Sequence, residues 1–72
     1  MKRDLLNDHL VQAERHIVEG RDHVERQRQI VEGVVRRGEN ADRSKALLEL
    51  FESTLETHVE ERDRLRNKLA ES

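Results

Sequence analysis

The sequence predicts an all-α fold: two long antiparallel helices, about residues 4–37 and 41–70, in one helical-hairpin domain spanning residues 1–72. Three observations carry this expectation. Apolar residues recur at alternating gaps of four and three, the spacing of a helix that faces another helix. There is no proline anywhere, so nothing interrupts a long helix. A single break, Gly38-Glu39-Asn40, divides the chain into two arms of similar length.

The first arm opens with Met1-Lys2-Arg3, expected to fray, and Asp4 or Asn7 is the expected cap or first-turn charge. Its seam runs Leu6, Leu10, Ala13, Ile17, Gly20, Val24, Gln27, Val31 and Val34. Beside the seam, seven residues apart, ride His9, His16, His23 and then Ile30. Arg36 and Arg37 suit the negative end of the helix dipole, and Gly38 suits a left-handed C-terminal cap. A helix of that extent is about 50 Å long.

The link is too short for anything but a reversal, which sets the arms antiparallel. Asn40 is the expected N-cap of the second helix, with Ala41 first in the helix and Asp42 in its first turn. The second seam is Leu48, Phe51, Leu55, His58, Arg62, Leu65 and Leu69, and the serine-ended tail is expected to fray. Folding the chain near residue 39 predicts Val31 beside Leu47 and Leu48, Gln27 beside Phe51, and Val24 beside Leu55. It also predicts Gly20 beside His58, Ile17 beside Arg62, Ala13 beside Leu65, and Leu10 beside Leu69. Ion pairs one turn apart are expected at Asp22–Arg26, Glu32–Arg36, Glu60–Arg64, Arg15–Glu19 and Arg28–Glu32.

Ile30, Val35, Leu47, Leu50 and Val59 widen the apolar stripes beyond a single contact line. An arc that wide suits a helix with two neighbours, and a second copy of the hairpin supplies them. The expected assembly is therefore a homodimeric four-helix bundle.

Composition narrows the function. Charged residues make up 42% and aromatics 1%, yet the seams are too regular for a disordered chain. The net charge of -2 lacks the basic excess of a nucleic-acid or membrane-surface protein. With no cysteine and no apolar run of membrane-spanning length, a soluble cytoplasmic protein is expected.

The histidines are the most suggestive chemistry. Residues seven apart on one helix are separated by about 10.5 Å, so no two of the first three can share an ion. No histidine has a carboxylate three residues before it, which excludes the di-iron Glu-x-x-His pattern. The remaining metal candidate combines Glu19, His23 and His58 across the hairpin. The plainer reading places these imidazoles at the edge of the core, and no metal or other cofactor is expected. A row of imidazoles beside an interface would also gain charge in mild acid, which makes a pH-responsive bundle an alternative.

Arg62 and Gln27 interrupt the seams with polar groups. A polar residue at such a site sets register or partner choice. Arg62 is expected to lay its stem along Ile17 and reach Glu14 or another helix at the rim. Gly20 is expected to permit close approach of the helices, and Gly33 has no evident role. Val11 and Val18 form a narrow exposed stripe. The hydroxyls, Ser44, Ser53, Thr54, Thr57 and Ser72, lie on no glycine-rich loop or strained turn, so no enzyme is expected.

The run His16-Ile17-Val18-Glu19-Gly20, then Gln27 with Ile30-Val31, Gly38, and the block Ala46 to Leu55 with His58 resembles short uncharacterised proteobacterial proteins of the rhizobial type. That resemblance covers about residues 13–69 and implies a helical hairpin with no assigned activity. In architecture the chain also resembles the plasmid RNA-binding hairpin dimer Rop, which bears on fold and not on function. The expected function is a small protein-interaction or regulatory module. The alternative is RNA binding through Arg15, Arg21, Arg26, Arg28, Arg36 and Arg37, interrupted by Glu14, Glu25 and Glu32.

Overall fold

The computed structural model describes residues 2–71 and contains two helices, α1 (Lys2–Arg36) and α2 (Asp42–Glu71). They lie side by side as an antiparallel hairpin 55 × 13 × 13 Å in extent. The radius of gyration is 16.4 Å. A globular chain of this length would have about 11 Å. The hairpin is a rod.

The ends of the helices differ from expectation by a residue or more. Lys2 and Arg3 are helical, because nothing near them breaks the helix, while Asp4 supplies the acidic charge of the first turn as expected. At the other end of the chain the helix continues to Glu71; Met1 and Ser72 lie outside the described residues.

The link is built from its own backbone. Gly38 adopts φ 73°, and its N–H donates to Val35 O at 3.0 Å, while Glu39 N–H donates to Val34 O at 3.1 Å. These two bonds form a Schellman cap, which satisfies carbonyls the helix end would otherwise leave open. Arg37 Nε and Glu39 Oε1 close over the turn at 2.6 Å. Asn40 Oδ1 accepts from Asp42 N–H at 2.9 Å, so its side chain satisfies the first amide of α2 from one position earlier than expected. The first helical bond, Lys45 N–H to Ala41 O at 2.8 Å, puts Ala41 just ahead of α2.

All sixteen seam residues are buried or half-buried, from Leu6 to Val34 and from Leu48 to Leu69. The seam of α2 also extends toward the link. Ala41 is 7% exposed and Ser44 is half-buried, at the three-then-four spacing that leads to Leu48. Both are too small and too polar in context to stand out as core residues.

The register differs from the expected one. A Cβ on Gly20 would meet Leu55 Cδ1 at 3.1 Å, so Gly20 sits against Leu55 and not His58. Carried along both helices at the seam spacing, this register sets Leu6 against Leu69, Leu10 against Leu65 and Ala13 against Arg62. It continues with Ile17 against His58, Val24 against Phe51, Gln27 against Leu48, Val31 against Ser44 and Val34 against Ala41. The reversal at Gly38 folds Ala41 straight back onto the last turn of α1. The pairing therefore centres between Arg37 and Gly38, not on Glu39.

The core is thin. Ala13, Ile17, Val24, Ala41 and Leu65 are the buried apolar residues, and no described side chain is less than 2% exposed. Two helices share only one line of contact, so each seam residue keeps an edge in water.

Surface ion pairs also re-sort. Arg28 meets Glu25 at 3.9 Å and crosses to Glu52 at 3.7 Å, and does not pair with Glu32. Arg64 pairs with Glu61 in place of Glu60. Neighbours three and four residues away are equally reachable on a helix, and exposed pairs are held weakly enough to exchange.

Candidate functional site

The two edges of the hairpin have different chemistry. On one edge Arg28 reaches Glu52 at 3.7 Å. The helical repeat places Glu14, Arg21, Lys45 and Arg66 along this same charged edge. On the other edge His16 packs against His58, with ring centres 4.9 Å apart, and His23 lies on Phe51 at 5.5 Å. His9, Ile30, Leu47, Thr54 and Glu61 share that edge; from His16 to Ile30 and from Leu47 to Thr54 the positions flanking the seam carry no carboxylate, ammonium or guanidinium group.

This neutral edge holds the candidate site. A shallow groove of ≈ 180 Å³ is lined by His16, Glu19, Gly20, His23, Phe51, Thr54 and His58. A second, of ≈ 290 Å³, continues along it past His9, Gln12, Ala13, His16, His58 and Glu61. The two meet at the His16–His58 pair. The helix positions explain the meeting: His16 flanks Ile17, which the register sets against His58. The sequence shows the row of imidazoles on α1, but only the true register reveals which one His58 joins.

Glu19, His23 and His58 line the same groove, but His58 is partnered by His16 and His23 by Phe51. Among the described residues, no three His, Asp or Glu side chains are placed to hold one ion. Neither the His16 nor the His58 ring is hydrogen-bonded to a described residue, so their nitrogens remain open to solvent.

The polar seam residues resolve differently from each other. Gln27 is 5% exposed and its Nε2 donates to Ser44 O at 3.0 Å. Arg62 lies at the level of Ala13, whose small side chain leaves room for the stem. Its guanidinium reaches Asp63 at 3.1 Å on its own helix, and not Glu14. No buried side-chain nitrogen or oxygen among the described residues is without a hydrogen-bond partner.

Arg15, Arg21, Arg26, Arg28, Arg36 and Arg37 are all exposed, but the helical repeat spreads them over several faces of α1. Arg28 and Arg37 are engaged by Glu25, Glu52 and Glu39. They form no continuous basic track. No helix of the described residues is long and apolar enough to cross a membrane. Compared with protein-family models, with curated proteins and with solved structures, the chain matches none.

Proposed function

We propose that this chain is a small non-enzymatic interaction module that works as a homodimer, two hairpins joining the Ile30, Leu47 and Leu50 stretch of their neutral edges in a four-helix bundle. The observation that carries this reading is surface area. The hairpin exposes 5694 Å². A compact monomer of its mass would expose about 4,700 Å². The excess, roughly 1,000 Å² per chain, matches what one partner contributes to a standard-size interface, about 800 Å².

The neutral edge is the face best suited to be covered. Ile30, Leu47 and Leu50 are 51%, 41% and 59% exposed there, beside half-buried Phe51. Burying this stretch against a second copy leaves the Glu19 and Glu61 carboxylates in water further along the edge, whereas burying the Arg28–Glu52 edge would desolvate charges. The bundle would then present its charged outer faces to another protein.

Sedimentation equilibrium at micromolar concentration tests the reading. Twice the chain mass of 8.5 kDa is expected, and a species at that chain mass itself overturns the dimer. A salt titration against bulk RNA tests the partner class. Absence of binding at about 50 mM salt is expected, since a protein lacking a basic track releases few counterions.

A further inference from the structure

The meeting of two imidazoles from opposite helices invites a ligand neither helix could hold alone. The His16 and His58 ring centres are 4.9 Å apart, with planes inclined at 43°. Two imidazoles bound to one zinc ion at Zn–N of about 2.0–2.1 Å set their ring centres roughly 4.5–5.2 Å apart, for angles between square and tetrahedral. The observed spacing falls inside that range, so turning the rings in place can aim one nitrogen of each at a shared ion.

We propose that His16 and His58 clamp one divalent ion of the zinc class across the hairpin, with water completing its coordination. Imidazole suits zinc, copper and nickel far better than it suits magnesium or calcium. Both rings line grooves about 20 Å along the edge from Ile30, clear of the apolar stretch the proposed dimer shares, so water and an ion can reach them there, and hydrogen bonds to described residues occupy none of their nitrogens. Glu19 lines the groove on one side of the pair and Glu61 the groove on the other, and their negative charges favour a cation between them. With two protein ligands the site resembles an open, exchangeable one more than a closed structural one.

The chelate links α1 to α2 directly, so the ion binds the folded hairpin and not the unfolded chain. Zinc should therefore raise the unfolding temperature as well as bind. His9 and His23 serve as internal controls. His9 is seven residues from His16, and His23 lies on Phe51.

The test is calorimetric titration of Zn²⁺ into the full chain without an affinity tag, followed by thermal unfolding with and without the ion. Saturable binding of one ion per chain is expected. His16→Ala and His58→Ala should each weaken it at least tenfold and abolish the zinc-dependent rise in unfolding temperature. His9→Ala and His23→Ala should stay within about twofold of the parent. His16→Gln and His58→Gln, which keep a polar side chain at the edge, repeat the test should an alanine variant lose its helical circular dichroism. Unsaturable binding, one ion per two chains, or equal losses from all four histidine variants would each overturn the clamp.

Discussion

Gln27 Nε2 donates a 3.0 Å hydrogen bond to the backbone carbonyl of Ser44, joining the two helices through a buried polar contact near the link. A carbonyl has two lone pairs, so Ser44 O can serve both its own helix and Gln27. The bond has direction and reach, which apolar contacts lack, and it ties α1 to one turn of α2.

Gln27→Ala should cost about 1–3 kcal/mol, from the lost hydrogen bond and the space left in the seam. Gln27→Leu keeps the volume and leaves the helical bond to Ser44 O intact, so its change should stay within about 1 kcal/mol. Urea unfolding followed by circular dichroism measures both. Equal losses in the two variants would show that the hydrogen bond, and not the filled volume, dominates.

Gly20 tests close approach. Alanine there gains about 1 kcal/mol of helix propensity, against a displacement of a few tenths of an ångström in Leu55 Cδ1, the end of a flexible side chain. Gly20→Ala should raise the unfolding midpoint slightly. Gly20→Leu should lower it by more than the equivalent of about 1 kcal/mol, because Leu55 Cα, 3.8 Å from the added Cβ, cannot retreat.

The other two glycines should respond with opposite signs. Gly38, at φ 73°, occupies the left-handed region, and Gly38→Ala should destabilise by about 1–2 kcal/mol. Gly33 is inside α1, and a Cβ there would meet only Arg37 Nη1 at 3.4 Å. Gly33→Ala should therefore stabilise by up to about 1 kcal/mol. Thermal melts of the two variants check the signs directly.

The two edges can be distinguished by charge. Leu47→Glu with Leu50→Glu places like charges on the proposed shared edge and should shift the sedimenting species to the single-chain mass. Val11→Glu with Val18→Glu, outside that edge, should leave the dimer intact. The opposite outcome would move the interface to the other side of the rod.

Much of the fold can be read from residue order alone. Alternating three and four gaps place the sixteen seam residues on one stripe of each helix, and the glycine after Arg37 marks the reversal. This works because helical periodicity and cap chemistry are local, set by residues a few positions apart. The ends of the helices and the partners of exposed arginines are less legible. There, alternatives differ by little energy.

The sequence alone determines an all-α hairpin, its two stripes, its turn and a row of imidazoles. Tertiary structure decides how the stripes mesh: Gly20 meets Leu55, His16 meets His58, and Ala41 and Ser44 join the seam. Each stripe repeats every seven residues, so several alignments satisfy its periodicity equally. The choice among them falls to the Schellman reversal at Gly38, the fit of Gly20 to Leu55 and the Gln27–Ser44 bond, all of which depend on the two helices being together.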